Sequence, residues 1–423
     1  MNDHIFTGFG FGPIQAGLFI KEAFQSGNFS RLVVAEIEPT LVEAVRRNQN
    51  QYTVNVAGAN GIRTITIEGV ELLNPHHEPD RKELQEALCQ STEICTSLPS
   101  VDFYELGKPA VASLIARGLE NSRAPATIIY TAENHNHAAE ILAEDIQAKY
   151  SFDIHRVRFL NTVIGKMSQV VTNPAEIKDL NLTPIAPGID RAFLVEEFNR
   201  ILVSRTNITD FQPGIEVFIE KENLLPFEEA KLYGHNAIHA LLAYLGALKK
   251  YEKMTDVKDD RQIMQIARDA FLLESGVALI QKHQQLQDNL FTKAGYQDFA
   301  DDLLQRMMNP YLSDTIERAA RDPIRKLGYT DRMFGTMTLA LEQGIEPTNM
   351  ALGAVAGLAF LLQQAAQYQL PSHLQRPSAK HLDRENLSQI LARIWGENIG
   401  EYAPRLISLV EKAEPQLEIV RKE

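Results

Sequence analysis

Residues 4–27, HIFTGFGFGPIQAGLFIKEAFQSG, run from a short apolar stretch through a glycine cluster into an amphipathic segment that ends at Ser26-Gly27. The apolar stretch reads as a buried strand, the segment after the glycines as a helix, and Gly27 as its stop. Gly8, Gly10 and Gly12 lie between strand and helix. Gly10 and Gly12 allow a tight turn and a close backbone approach to a pyrophosphate resting on the helix N-terminus. The third glycine of a G-x-G-x-x-G turn is absent, because Gln15 stands in its place and Gly17 follows two residues later.

A glycine turn is informative only in context. Here a second buried strand follows, RLVVA at 31–35, closed by Glu36-Ile37-Glu38-Pro39 and a helix through TLVEAVRRNQ. Glu36 comes 26 residues after Gly10, near where a ribose-binding carboxylate belongs. Such a carboxylate accepts hydrogen bonds from a ribose diol and repels a 2′-phosphate. NAD is therefore the expected cofactor, although Arg46 or Arg47 could relax that preference. EICTSLP (93–99), ATIIYTAEN (126–134) and RVRFLNTVIG (156–165) read as further strands ending in polar loops. Strands alternating with helices at this spacing indicate a doubly wound parallel sheet.

From about residue 225 the strand pattern gives way to long amphipathic stretches at 226–250, 257–288, 310–327, 330–343, 347–367 and 383–416. The expected fold class is an α/β N-terminal Rossmann-type doubly wound sheet followed by an all-α C-terminal domain. Residues 1–210 form the nucleotide-binding part with its connecting segment, and 211–423 the helical part. A length of 423 residues fits more than one core. The charged end, LVEKAEPQLEIVRKE, reads as a solvated terminal helix. With 42 Lys+Arg against 55 Asp+Glu, a net charge of −13 argues against nucleic acid and anionic membrane surfaces as partners. Cys89 and Cys95 have neither metal-site nor disulfide-framework spacing. No 18-residue apolar run and no secretory leader are visible, which makes the cytoplasm the expected location. A monomer or homodimer is expected.

The second informative stretch is KLYGHNAIHALLAYLG, 231–246, a helix that starts polar and turns apolar. At about 100° per residue, with Lys231 at zero, Glu228 falls near 60°, His239 near 80° and Asn236 near 140°. His235 falls at about 40° on the same scale. One face then carries a carboxylate, an amine, an amide and an imidazole. Such a face is either a solvated stripe or a general base with its oxyanion partners.

The chain as a whole resembles the polyol-specific long-chain dehydrogenases, the mannitol dehydrogenase family, and within it the mannitol-1-phosphate 5-dehydrogenase branch. The resemblance rests on GFGPIQAGLF with VVAEIEP, YTAEN, KLYGHNAIHALLAYLG, and NPYLSDTIERAARDPIRKLGYTDR at 309–332. It implies metal-independent hydride transfer between a nicotinamide and a polyol carbon. Lys231 would be the general base, with Asn236 and Asn134 as donors to the reacting oxygen and Glu228 as a proton-relay carboxylate, a role for which Glu229 competes. His239 would bind a substrate hydroxyl. Arg321, Arg325 and Lys326, at helical spacing, either supply the cations for a substrate phosphate or form an ordinary solvated basic face. Gly10, Gly12, Pro13, Ile14, Glu36, Ser97 and Asn134 would hold the cofactor. One departure is Gly165-Lys166, where the family usually carries Asp-Arg. The H-x-H of His135 and His137 reads as pocket-lining or surface histidines. The expected reaction interconverts a sugar-alcohol phosphate and a ketose phosphate, of the mannitol 1-phosphate and fructose 6-phosphate type. The alternatives are an unphosphorylated polyol or a hexuronate, and a non-catalytic nucleotide-binding regulator.

Overall fold

The computed structural model describes residues 4–370, 382, 384–397 and 399–422. The chain divides into two compact units, Met1–Leu225 and Pro226–Glu423. Among the described residues the first holds twelve strands: β1 (His4–Phe9), β2 (Phe29–Ala35), β3 (Tyr52–Ala57), β4 (Ile62–Ile67), β5 (Val70–Leu73), β6 (Glu93–Thr96), β7 (Thr127–Thr131), β8 (Val157–Val163), β9 (Ser168–Val171), β10 (Ala192–Glu196), β11 (Leu202–Ser204) and β12 (Ile219–Lys221). Eight of them form one sheet in the order β12-β11-β8-β7-β6-β1-β2-β5.

From β5 to β8 all the pairings are parallel. That run, β5-β2-β1-β6-β7-β8, has the 3-2-1-4-5-6 order of the dinucleotide-binding fold, with its switch point between β1 and β6. The central strands β6 (EICT) and β7 (TIIYT) are buried at every position, as strands covered by helices on both faces must be. The sequence reading divided the chain at 210–211. The structure carries the first unit on to Leu225, because β11 and β12 extend its sheet through β8.

Residues 52–67, 168–171 and 192–196 form a second, four-stranded sheet in the order β4-β3-β10-β9, which the sequence reading did not anticipate. Gly17 of the first helix faces it so closely that a Cβ there would overlap the side chain of Val195. Gly17 therefore serves this packing and not the pyrophosphate turn. The missing third glycine has a counterpart in β1. A Cβ on Gly8 would overlap the Gln15 amide, and Gln15 is fully buried. The small residue that allows close helix–strand packing has moved from helix to strand.

The second unit is helical. Leu225–Glu229 runs through a π-helical segment, Ala230–Asn236, into the helix Ala237–Leu248. That last helix is buried nearly all round and packs against Ile316–Ala320 and Thr348–Gln363. The terminal stretch is not a solvated helix. Leu406, Leu409, Val410, Ala413 and Leu417 are all buried, and their helical spacing gives Ala403–Ala413 an apolar face. Trp395 donates its indole N–H to the Leu327 carbonyl at 3.0 Å and packs edge-on to Phe334. Among the described residues no helix is long and apolar enough to cross a membrane.

Candidate active site

The switch point opens into a pocket of about 510 Å³, whose lining includes Gly10, Gly12, Glu36 and Ser97, with Phe193 of β10 and Arg191 just ahead of that strand. Gly10 has φ +82°, and a Cβ there would stand 2.7 Å from the Ser97 carbonyl oxygen, so both conformation and space demand glycine. Gly12 differs: a Cβ there would meet nothing within 4 Å, which leaves open space against the turn. Glu36 is held in place by the backbone N–H groups of Phe11 (2.9 Å) and Glu38 (2.8 Å). Each carboxylate oxygen keeps a lone pair for a ribose hydroxyl. Arg46 is committed to the Leu72 carbonyl and Asp80, and Arg47 to Glu43. Their partners already engage the two cations that could have favoured a 2′-phosphate. Pro13 and Ile14 open the helix beside this pocket without lining it, and Asn134 lies exposed on the loop after β7.

The sequence reading missed Glu133. It is buried, and it accepts hydrogen bonds from Thr96 Oγ1 (2.9 Å), the Leu98 N–H (2.8 Å) and Tyr104 OH (2.5 Å). Burial pushes its pKa up, while those donors pull it down. It ties the loop bearing Ser97 to the strand end bearing Asn134. Lys166 is also buried, and its ammonium donates to the carbonyls of Glu196 and Phe198. It braces the second sheet, which accounts for a long cation at this departure from the family pattern. His135 and His137 are exposed. Among the described residues no three His, Cys, Asp or Glu side chains are grouped as metal ligands.

In the second unit the helix around Lys231 departs from α geometry. The Ala237 N–H bonds the carbonyls of Leu232 and Gly234, and the bond to Leu232 is the i→i−5 link of a π turn. One extra residue is thus absorbed in Ala230–Asn236, so Asn236 stands one π turn above Lys231. An α-helix would have set the two about 140° apart. The π turn brings the amine, the amide and His239 into closer alignment than the sequence periodicity allows. Lys231 has its pKa lowered to about 8, first by burial and then by the charge of Arg332, with Glu228 opposing. Glu229 is occupied elsewhere, with Lys282 at 2.8 Å and His283 at 2.6 Å. Buried Glu228 is the carboxylate whose field reaches the lysine.

His239 Nε2 lies 2.9 Å from Asp314 Oδ2, and Arg318 Nε donates to Oδ1 of the same carboxylate at 2.8 Å. Burial would raise the Asp314 pKa, but His239 and Arg318 hold it down at about 2. His235 is buried, and burial with the neighbouring His239 drives its pKa well below the usual range, so it is neutral. Arg321, Arg325 and Lys326 do not form one basic face. Arg321 and Arg325 are exposed, and Arg325 pairs with Asp322 at 2.5 Å. Lys326 is buried and donates to the Ala319 carbonyl, with its pKa lowered to about 7 by burial and by the charge of Arg332. Arg318 and Arg332 were missed as site candidates, although both lie in the stretch 309–332. The signal for Arg318 would have been Asp314 four residues earlier, just ahead of the helix Ile316–Ala320; nothing local marked Arg332.

Residues 223–413 match the model of the mannitol dehydrogenase C-terminal domain. The mannitol-1-phosphate 5-dehydrogenase of Buchnera aphidicola subsp. Acyrthosiphon pisum (strain Tuc7) is 28% identical over 359 residues, covering 82% of this chain and 84% of the relative. That of Enterococcus faecalis is 27% identical, covering 97% of this chain and 98% of the relative. Among solved structures, the mannitol 2-dehydrogenase of Pseudomonas fluorescens, in ternary complex with NAD and D-mannitol, superposes with a TM-score of 0.71 at 17% identity, over 99% of this chain and 92% of the other. A substrate-free D-sorbitol dehydrogenase gives 0.76 at 15% identity, over 100% and 94%. These two share the fold. Residues 223–413 thus carry the mannitol dehydrogenase C-terminal domain, and the chain is similar along most of its length to mannitol-1-phosphate 5-dehydrogenases.

Proposed function

We propose that this protein is an NAD-dependent dehydrogenase interconverting a sugar-alcohol phosphate and a ketose phosphate, of the mannitol 1-phosphate and fructose 6-phosphate type, with Lys231 as general base and no metal ion. The observation that carries the reading is the π turn that aligns Lys231 with Asn236, together with an amine pKa brought to about 8. A lysine at that value can take a hydroxyl proton near neutral pH and return it in the reverse direction. The Asn236 amide donates to the alkoxide that forms as the proton leaves, and the resemblance assigns Asn134 the same role. His239, oriented by Asp314, holds a neighbouring substrate hydroxyl. Glu228 passes the proton between Lys231 and solvent. The phosphate is assigned to the segment bearing Arg321, Arg325 and Lys326, where an anion would draw Lys326 back to its charged form. The pocket at the switch point fits NAD, with room at Gly12 for the pyrophosphate and Glu36 for the ribose diol. When bound, the nicotinamide accepts or delivers the hydride.

The test follows NADH absorbance with purified protein against ketose phosphates, free ketoses and hexuronates. Fructose 6-phosphate is expected to give the highest kcat/KM. A higher value for an unphosphorylated ketose or a hexuronate would move the substrate assignment to that class, and silence throughout would favour a nucleotide-binding regulator.

Two further results are expected from the same assay. Glu36→Ser should weaken NAD binding and narrow the preference over NADP, since the carboxylate that bonds the diol and repels phosphate is gone. Equal kcat/KM for the two cofactors in the unmodified enzyme would remove that assignment. Activity should also survive exhaustive chelation, because the proposed acid–base and oxyanion groups are a lysine and two amides. Loss to a chelator with recovery on adding zinc would overturn the mechanism.

A further inference from the structure

The π turn that aligns Lys231 with Asn236 has a cost that the neighbouring helix offsets. In an α-helix the Ala237 N–H would bond the Tyr233 carbonyl, but here it bonds Leu232 and Gly234. The Tyr233 carbonyl instead accepts from Ser275 Oγ at 2.8 Å. Thr336 Oγ1 lies 3.2 Å from the same oxygen but only 2.6 Å from the Arg332 carbonyl, so its single proton belongs to Arg332. Ser275 is fully buried. Its other neighbour is Tyr296 OH at 3.1 Å. With the serine proton spent on Tyr233, the tyrosine is the donor in that bond. The chain therefore runs from Tyr296 OH to Ser275 Oγ to the Tyr233 carbonyl.

The surroundings are shaped for this contact. Ser275 itself lies in a second π segment, Ala270–Gly276. A Cβ on Gly234 would come within 2.9 Å of Tyr296 OH, and one on Gly276 within 2.7 Å of the Tyr296 ring. Two glycines, one in each π segment, make room for the tyrosine between them.

We infer that Ser275 is a positioning residue for catalysis, whose hydroxyl holds the widened turn that places Lys231 and Asn236 on the substrate. The inference rests on the proposed role of Lys231. Without the hydroxyl, the Tyr233 carbonyl is left facing only Thr336 Oγ1, whose proton is committed to the Arg332 carbonyl. The inexpensive remedy is for the turn to tighten and give that carbonyl back its α partner, which rotates Lys231 away from Asn236.

The test uses the full-length protein and the NADH assay. Ser275→Ala is expected to lower kcat about 10²-fold, the scale of a misplacement of roughly 1 Å at a reacting group. It should also move the alkaline limb of the oxidation profile above pH 8, as Lys231 leaves its buried site, while the Kd for NADH holds. Ser275→Thr, which keeps a hydroxyl, should recover most of the rate. Tyr296→Phe, which leaves the serine proton on Tyr233, should lose less than tenfold. Unchanged kcat and an unmoved limb in Ser275→Ala would overturn the inference, as would a kcat loss matched by an equal rise in the Kd for NADH. Should Ser275→Ala fail to fold, Ser275→Cys carries the test. Its thiol fills the space but donates weakly, and wild-type turnover in it would overturn the inference. Substantial activity in Lys231→Ala would mark failure of the functional reading instead.

Discussion

Lys231→Ala is expected to abolish nearly all turnover while leaving the fold and the affinity for NADH intact. A positioned general base contributes about 10²–10⁴-fold, and an amine that also bonds the developing alkoxide adds electrostatic stabilisation. The loss should therefore sit at or above the upper end of that range. The pH dependence gives a second, independent readout. Burial and Arg332 bring the lysine to about 8, so the oxidation rate should climb through pH 8 as the neutral amine appears. Reduction needs the ammonium and should fall over the same interval. Both limbs report the Lys231 amine in the field of Arg332 and Glu228. Both should vanish in the variant. Near-wild-type kcat with normal melting would return Lys231 to a structural role.

The second large effect is expected at Asp314. Its carboxylate holds His239 at 2.9 Å and Arg318 at 2.8 Å, and its own side chain is only 4% exposed. Asp314→Ala removes the shared partner of two cation-capable groups. Breaking a buried pair typically costs about 3–5 kcal/mol. Because both partners are partly exposed, about 2–3 kcal/mol is the better expectation, a drop of roughly 4–12 °C in Tm at this unit size. The KM for the polyol should rise with it, since His239 loses its orienting partner. The acid side supplies a sign test. The folded-state pKa, about 2, lies below the usual carboxylate value. The folded protein therefore binds fewer protons here than the unfolded chain, and this contribution is present above pH 4 and lost as the pH falls towards 2. It amounts to about 2 kcal/mol in full, of which about half is lost by pH 3, so urea titrations at pH 3 and pH 6 should differ by about 1 kcal/mol less in the variant. An unchanged pH dependence would show that the carboxylate is not the anchor.

What the sequence disclosed were features written in local chemistry. Gly10 announced a turn because only glycine tolerates its φ and its approach to Ser97. Glu36 announced the end of β2 because an acid after a buried strand stands out. The second sheet was hidden because its two antiparallel pairs, β3–β4 and β9–β10, meet only through the long-range pairing of β3 with β10, and the alternation in IRTITI was short. The alignment of Lys231 with Asn236 was hidden for a different reason. Period reading assumes about 100° per residue throughout, and a π turn breaks the assumption at the very place where the side chains matter. The basic stretch 321–326 hid its own division, because spacing cannot tell exposed Arg325 from Lys326, buried and bonded to the Ala319 carbonyl. The terminal helices were misread through their charge, which masked the apolar stripe from Leu406 to Leu417.

The exchange between Gly8 and Gln15 carries a consequence for how such a turn can evolve. A methyl on Gly8 collides with the Gln15 amide, and shortening Gln15 alone leaves a cavity beneath the strand. Each single step towards the ordinary glycine pattern is therefore harmful, and only the joint change escapes. Gly8→Ala and Gln15→Gly should each destabilise the first unit, and their combination should recover part of the loss, with an interaction energy of about 0.5–3 kcal/mol. The two positions form an epistatic pair, and a lineage that has crossed to this arrangement is held there by the valley between the two solutions.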